Sequence, residues 1–236
     1  MDSFIKTIAG VCDLVKARKR SKKTVNLSFD EWNVWFHSNN AKVEKWTVAP
    51  PLLEDIYTME DALLVGCMLI TLLKNADRVK VACLAQLVNV IAPIMTDAGG
   101  GAWRQTIFYP FAQMSKYGHG AVLRGEIACD CYDTNDIDGV PYLESVAVRG
   151  EQGLTIFAVN RNLSEALALE TELAGFDTKN CRFIEHTAMR HDNLKATNSV
   201  KAELVRPAAQ IAGKLDGATL ELALPPASWN VIRLGL

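Results

Sequence analysis

The ten residues NLSFDEWNVW (26–35) decide how the rest of this chain is interpreted. Apolar and polar residues alternate in the first half of the segment, which is typical of a strand with one buried face. The strand then ends at a carboxylate, Glu31, and continues directly into two tryptophans. A carboxylate can attack or stabilise a positively charged sugar carbon, and indole rings stack on the apolar faces of sugars. The pattern is therefore typical of a site that cleaves glycosides.

Around this segment, the first half of the chain alternates helical and strand patterns. Apolar residues at helical spacing predict a helix over about residues 3–19, and a second helix over about 59–74 is apolar on nearly every side. Thr58 and Asp61 have the spacing of a capping box at the start of that second helix. The remaining elements predicted in this half are strands over 24–31 and 79–86 and a third helix over about 104–117.

The pattern changes after Gly118 to short alternating runs separated by turn residues, which is typical of a β-sandwich. We place the boundary near residues 118–125, so that residues 1–117 form one domain and residues 118–236 another. Two parallel strands with their helices do not make a stable open sheet, because parallel sheets need several paired strands with both faces covered. Residues 1–117 are therefore predicted to be the closing part of a larger α/β unit. The other strands come from an upstream stretch or from another copy of the chain.

Composition excludes several classes of function. The chain has 236 residues, a formal net charge of −2 and 49% hydrophobic residues, as expected for a soluble globular protein without a nucleic-acid partner. The basic run at residues 16–23 is interpreted as the solvated end of the first helix, with a targeting or polyanion-binding patch as the alternative.

Cysteine usage and hydropathy give further expectations. Cys129 and Cys131 form a lone pair without a matching second pair, so we expect no zinc site and no cofactor. We find neither a secretory signal nor an apolar stretch suited to crossing a bilayer. A reducing, cytoplasmic protein with no membrane partner fits these observations.

Two side chains are predicted to lie at the carboxyl ends of the parallel strands, where barrel enzymes carry their working residues. They are Glu31 and Gln86. Strict alternation places Glu31 on the same face as Leu27 and Phe29, so the strand must bulge or twist near Asp30 for Glu31 to face the mouth of a barrel. His37 follows the tryptophans in a loop that runs to Ile56. An exposed position there does not indicate a particular function.

Five motifs resemble a known family over nearly the whole chain. They are LSFDEWNVW (27–35), APPLLE (49–54), YTMEDAL (57–63), AQLVNVIAPI (85–94) and LPPASWNVIRL (224–234). In these motifs the chain resembles the family 51 glycoside hydrolases, the α-L-arabinofuranosidases. The resemblance implies the last βα units of a (β/α)8 TIM barrel followed by a carboxyl-terminal jelly-roll β-sandwich, acting on arabinofuranosyl-containing oligosaccharides. It implies that Glu31 is the catalytic nucleophile, that Gln86 binds the arabinose, and that Trp32 and Trp103 line the pocket.

The chain also departs from the family. Those enzymes carry an Asn-Glu pair, whose Glu is the acid/base, at the end of barrel strand four, and this sequence contains no Asn-Glu pair. It resembles only the carboxyl-terminal half of such an enzyme, so we expect the isolated chain to be inactive and its open barrel edge to self-associate, which makes a homo-oligomer the expected state. Two alternatives are a non-catalytic carbohydrate-binding or interaction module and one subunit of a split enzyme.

Overall fold

The fold is described from a computed structural model that covers residues 1–35, 46–48, 50, 52–176 and 178–236. His37 and most of the loop that follows Trp35 lie outside these residues. The helices are α1 (Asp2–Arg18), α2 (Met59–Lys74) and α3 (Phe108–Tyr117). The strands are β1 (Leu27–Trp32), β2 (Val79–Leu84), β3 (Ile94–Thr96), β4 (Ala102–Arg104), β5 (Ala121–Leu123), β6 (Cys131–Tyr132), β7 (Val140–Pro141), β8 (Leu143–Gly150), β9 (Gly153–Asn160), β10 (Leu167–Glu172), β11 (Arg182–Met189), β12 (Ala208–Ala209), β13 (Lys214–Asp216), β14 (Thr219–Leu224) and β15 (Ser228–Gly235).

The first part of the chain contains two βα-type units. Strands β1 and β2 pair in parallel, and within the described residues they form a sheet of only two strands. Helix α2 begins and ends where the sequence predicts. Its first turn has the predicted capping box, in which the Thr58 hydroxyl accepts the Asp61 N–H and the Asp61 carboxylate accepts the Thr58 N–H. The partial barrel and the β-sandwich that follows it confirm the predicted fold class.

The predicted start of the third helix is wrong. Residues 104–107 do not open the third helix, which begins at Phe108. Residues 94–104 instead form an antiparallel hairpin, β3–β4, in which Met95 pairs with Trp103 across a turn that contains three consecutive glycines. Gly99 and Gly100 both have a φ of +110°, a conformation that favours glycine and that closes the hairpin.

The second part of the chain is a sandwich of two antiparallel sheets. Six strands pair in the order β12-β11-β15-β9-β8-β5, and three pair in the order β10-β14-β13. Leucine and isoleucine side chains from both sheets fill the space between them. They include Leu154 and Ile232 from the larger sheet, and Leu169 and Leu224 from the smaller one. Strand alternation produces this arrangement, because every second residue of each strand faces the partner sheet.

The opposite face of the six-stranded sheet packs on α2, so one hydrophobic core joins the two parts of the chain. Trp229 is fully buried at this contact, stacks on Phe157 with ring centroids 5.8 Å apart, and donates its Nε1–H to Gln113 of α3 at 2.8 Å. Gly66 of α2 makes room for the indole ring, since a Cβ there would lie 2.6 Å from the Cε3 atom of Trp229. A side chain at this helix position would push the two parts apart.

An ion-pair network at the edge of the same interface reinforces it. Arg161 donates to Glu144 at 2.9 Å, and Lys74 at the end of α2 pairs with the same carboxylate. The division of the chain at residues 118–125 remains a prediction, as does the jelly-roll description of the sandwich. The described helices include none that is long and apolar enough to cross a membrane.

A large apolar surface of the first part is uncovered in this chain. The apolar residues whose spacing predicts the first helix are largely exposed, among them Phe4, Ile8, Val11 and Val15. Only Ile5 and Ala9 of α1 are buried. The Phe4 ring meets Phe29 of β1 edge-on at 6.2 Å, yet the described residues leave much of this apolar face uncovered. This open face is what an incomplete barrel leaves exposed.

Replacing Gly66 with alanine is expected to destabilise the folded chain by about 1–3 kcal/mol, because the new methyl group overlaps the Trp229 ring. Gly10 provides the matched control, since it also lies inside a helix but has open space where a methyl group would lie. Gly10→Ala is expected to stabilise the chain by about 0.5–1 kcal/mol through helix propensity. Urea unfolding of both variants measures the difference, and changes of the same sign would contradict the close contact at Gly66.

Acid is expected to destabilise the sandwich through His186. Its ring is buried in β11 beside Asn230 of β15, at 3.0 Å from the amide oxygen. Burial lowers the pKa of His186 below its ordinary value of 6.5, and the Asn230 hydrogen bond opposes that shift only in part. The unfolded chain therefore binds the proton more tightly, so the free energy of unfolding falls as the pH drops below about 6.5.

Urea unfolding at about pH 7.5 and about pH 5 measures this loss of stability. The His186→Gln variant is expected to lose less stability on acidification than the parent chain, whereas the exposed His119→Gln variant is expected to lose as much. Equal losses in all three proteins would show that His186 titrates alike in the folded and unfolded states.

The uncovered face of α1 is expected to make the isolated chain self-associate as its concentration rises. Val11→Lys, at a position 53% exposed within that face, is expected to reduce association. Leu163→Lys, at a position 71% exposed on the sandwich, is the control and is expected to leave association unchanged. Sedimentation velocity over a concentration series measures both, and a monodisperse monomer throughout would contradict the expectation.

Candidate active site

The carboxyl end of β1 contains the irregularity that Glu31 requires. Between the pairs Phe29–Ala82 and Trp32–Leu84, strand β1 advances by one residue more than β2, which is a β-bulge at residues 30–31. Leu27, Phe29 and Trp32 consequently all face the hydrophobic core, and Phe29 meets the Phe4 ring of α1 edge-on at 6.2 Å. The bulge therefore places Glu31 on the opposite face of the strand from the core.

Glu31 is exposed, and its carboxylate makes no hydrogen bond or ion pair within the described part of the chain. A strand-end glutamate with a structural role would be expected to pair with a nearby cation. The backbone that carries Glu31 is nevertheless firmly held. Trp32 and Val34 are buried in the core, and the Tyr57 hydroxyl donates to the Val34 carbonyl at 2.9 Å. A free carboxylate on a fixed backbone is suited to reacting with a ligand.

Gln86 lies beside this strand end, two residues beyond β2. Its side chain is exposed, and its backbone N–H donates to the Ile91 carbonyl at 3.2 Å. The Ala85 N–H donates to the Trp32 carbonyl at 3.0 Å, so the parallel pairing continues past the end of β2. The peptide bond between Ala85 and Gln86 is cis. The structure thus places Glu31 and Gln86 on the ends of neighbouring parallel strands, as predicted.

Two side-chain amides that sequence reasoning did not single out support these strand ends. Asn33 donates to the carbonyls of Ala85 at 2.8 Å and Ile91 at 2.6 Å. Gln105 is fully buried and donates to the carbonyls of Asp55 at 2.9 Å and Ala92 at 2.8 Å, while its side-chain oxygen accepts the Tyr57 N–H at 2.9 Å.

These amides tie together the segments that follow β1 and β2. Asn33 lies inside the motif at 27–35, which could have drawn attention to it. Gln105 lies between β4 and α3 and carries no local sequence signal, because its partners are brought to it only by the tertiary fold.

The tryptophans differ in what they can offer a ligand. Trp32 is only 5% exposed and belongs to the core, so its burial argues against the expected role of Trp32 in lining a pocket. Trp35 is 60% exposed and follows the same strand end, so it is the tryptophan of this motif that presents an open surface. Trp103 is half-buried on the β3–β4 hairpin. The Nε1 atoms of Trp32 and Trp103 are both buried without a partner among the described residues.

A segment of the sandwich reaches this side of the molecule. The first N–H groups of α2, at Met59 and Glu60, donate to the carbonyls of Ala196 at 2.9 Å and Leu194 at 3.0 Å. Helix N-termini leave such groups without partners inside the helix, so the excursion between β11 and β12 caps α2. Asn198 of the same excursion is buried and donates to the Arg104 carbonyl at 3.1 Å, which fixes the end of the Trp103 hairpin.

Ionisation around the site follows from burial. Burial, with a smaller contribution from the carboxylates of Asp55 and Asp61, raises the pKa of Tyr57 well above its ordinary value, so its hydroxyl remains a donor to Val34. Among the described residues, no cluster of three or more histidine, cysteine or acidic side chains has the arrangement of a metal site. The chemistry available at this rim is that of a carboxylate, amides and an exposed indole.

Comparison with known proteins places these features in a family. The family model for the α-L-arabinofuranosidase C-terminal domain matches residues 30–228. An intracellular exo-α-(1→5)-L-arabinofuranosidase from Halalkalibacterium halodurans is 55% identical over 239 residues, covering 100% of this chain and 47% of that relative. An exo-α-(1→6)-L-arabinofuranosidase from Bifidobacterium longum is 44% identical over 245 residues, covering 99% of this chain and 46% of that relative.

Solved structures agree with these matches. A family 51 α-L-arabinofuranosidase from Bifidobacterium longum superposes with a TM-score of 0.89 at 35% identity, covering 100% of this chain and 47% of that one. The family 51 arabinofuranosidase from Xanthomonas axonopodis pv. citri superposes with a TM-score of 0.84 at 25% identity, covering 99% of this chain and 45% of that one. The chain spans about half the length of the relatives it matches. It belongs to the family 51 α-L-arabinofuranosidases and corresponds to their carboxyl-terminal portion.

Proposed function

We propose that this chain is the carboxyl-terminal portion of a retaining α-L-arabinofuranosidase, in which Glu31 is the nucleophile. The observation that carries the proposal is the bulge at residues 30–31, which turns Glu31 away from the core at the carboxyl end of a parallel strand. Working residues of barrel enzymes lie at this end of the strands. Membership in a family of arabinofuranosidases supplies the substrate class, terminal α-L-arabinofuranosyl residues of arabinan, arabinoxylan or arabino-oligosaccharides.

The proposed reaction has two steps. The Glu31 carboxylate attacks the anomeric carbon and forms a covalent arabinosyl-enzyme, while an acid protonates the departing oxygen, and water then hydrolyses the intermediate. Gln86 is proposed to hydrogen-bond the arabinose, since its exposed side chain stands on the neighbouring strand end. Trp103 remains a proposed pocket residue, and the exposed Trp35 replaces Trp32 as the indole offered to the sugar.

The acid is proposed to come from the half of the enzyme that the relatives have and this chain does not span. A retaining glycosidase needs its two carboxyl groups about 5–5.5 Å apart, and loss of the general acid typically costs about 10²–10⁴-fold in rate. The uncovered apolar face of α1 and the edges of the β1–β2 sheet, with which no other described strand pairs, are suited to receive the remaining barrel strands. These strands come from upstream residues or from a separate subunit.

The names of the relatives bear on where the enzyme acts and on which linkage it cuts. Several relatives are named intracellular enzymes, which agrees with a cytoplasmic setting. The relatives do not point to a single linkage. One is named for the α-(1→5) linkage and another for the α-(1→6) linkage.

A carbohydrate-binding module on the sandwich alone has less support. Phe157 and Trp229 are buried in its core, and Tyr132, Tyr142, Phe176 and Phe183 are half-buried. None of these six aromatic rings offers the open stacking surface that such a module uses.

The isolated chain is expected to show no turnover of an aryl α-L-arabinofuranoside. Co-expression with the amino-terminal half of the Halalkalibacterium halodurans relative is expected to restore turnover by closing the barrel and supplying the acid. Glu31→Gln is then expected to lower kcat by about 10³-fold or more, because the nucleophile is lost. Steady-state kinetics of the co-purified assembly measures this effect.

Glu151→Gln serves as the matched control, since Glu151 is exposed in the β8–β9 turn of the sandwich. This variant is expected to keep the full rate of the assembly. Turnover by the isolated chain at enzyme-like rates, or an assembly whose rate survives Glu31→Gln, would contradict the proposal.

A further inference from the structure

The side-chain amide of Asn33 uses all of its hydrogen-bonding groups at the junction of the two strand ends. Its Nδ2 donates to the carbonyls of Ala85 at 2.8 Å and Ile91 at 2.6 Å, and its Oδ1 accepts the Val34 N–H at 2.8 Å. Asn33 follows Glu31 by two residues, and Ala85 precedes Gln86. A single amide therefore connects the backbone that carries Glu31 with the backbone that carries Gln86.

We propose that Asn33 is a positioning residue that holds the Gln86 loop, residues 85–92, in register with Glu31. The effect on catalysis rests on the proposed function, in which Gln86 hydrogen-bonds the arabinose. The structural part, that Asn33 holds the loop, is independent of that function.

The first half of the loop depends on hydrogen bonds rather than on burial, among them those from Ala85 to Trp32 and from Gln86 to Ile91. Gln86, Leu87 and Val88 are exposed, so burial contributes little there. Asn89 has a φ of +64° and Ile91 a φ of +40°, which is an unfavourable region for a β-branched residue. A backbone in this region persists only where surrounding contacts enforce it.

The hydrogen bonds at Ile91 show how Asn33 enforces the conformation. The Ile91 carbonyl accepts both the Asn33 amide and the Gln86 N–H, and the Ile91 N–H donates to the Leu53 carbonyl at 2.7 Å. Without the Asn33 donors, the carbonyls of Ala85 and Ile91 lose their link to the end of β1. The Ala85–Trp32 backbone hydrogen bond then remains as the direct link between the strand ends. Gln86 is therefore held less tightly relative to Glu31, while the core around Trp32 and Val34 is unchanged.

Neither alanine nor aspartate meets these requirements at position 33. Alanine offers neither donor, and aspartate places acceptors opposite two carbonyl oxygens. Gln105 holds the next carbonyl, that of Ala92, through a separate amide. The end of the loop at Ala92 is therefore expected to stay in place when Asn33 is replaced, which localises the effect to residues 85–91.

The first experiment is hydrogen–deuterium exchange of the whole 236-residue chain, with and without Asn33→Ala. The amides of Ala85, Gln86 and Ile91 are expected to exchange about tenfold faster in the variant. Asn26→Ala is the matched control, since Asn26 is exposed just before β1. In this variant the amides of the Gln86 loop are expected to exchange as fast as in the parent chain. Asn33→Asp keeps the side-chain shape and is expected to accelerate exchange as well, so it replaces the alanine variant if that variant does not fold.

The second experiment measures kinetics in the assembly co-expressed with the amino-terminal half of the Halalkalibacterium halodurans relative. Asn33→Ala is expected to lower kcat/KM by about 10–100-fold, because the sugar contact is displaced. The double variant Asn33→Ala/Gln86→Ala is expected to match Gln86→Ala within about twofold, since Asn33 acts through Gln86. If Asn33→Ala instead damaged the fold in general, its loss in kcat/KM would add to that of Gln86→Ala in the double variant.

The outcomes separate the inference from the proposed function. Unchanged exchange in the loop, or additive kinetic losses, would overturn the role of Asn33. An assembly that lacks turnover, or that keeps it in Glu31→Gln, would count against the proposed function, and the hold on the loop would then be decided by the exchange measurement alone.

Discussion

The packing of Trp229 against Gly66 is the contact on which the arrangement of this chain depends. The indole ring lies between the six-stranded sheet and α2, where the absence of a side chain at Gly66 lets helix and sheet approach closely. The same core contains Trp32 and Val34, which flank the end of β1. The backbone around Glu31 is therefore held by a core that the sandwich helps to build.

The candidate site shows how a strand can serve both packing and chemistry. Phe29 and Trp32 must face the core, yet Glu31 must face away from it, and strict alternation cannot satisfy all three positions. One extra residue in β1 resolves the conflict. The amides of Asn33 and Gln105 then hold the neighbouring loop through carbonyl groups that have no strand partner. Hydrogen bonds of this kind fix backbone that lies beyond the reach of regular pairing.

The uncovered surface follows from the same architecture. Parallel strands are normally covered on both faces and paired on both edges, and the two-stranded sheet of this chain lacks that cover within the described residues. The exposed apolar side chains of α1 and the free edges lie in the same part of the chain. The matched relatives are about twice as long as this chain.

The sequence by itself determined the class of fold, the limits of α2 with its capping box, and the need for an irregularity near Asp30. These features depend on local periodicity, on hydrogen bonds between near neighbours, and on motifs long enough to be recognised. Only the tertiary structure decided that Trp32 is buried while Trp35 is exposed, since periodicity alone does not say which ring the core accepts. It also decided that Asn33 and Gln105 hold the loop after β2, because their partner carbonyls come from distant parts of the chain. Contacts of that kind arise from the packing of elements, which no short stretch of sequence encodes.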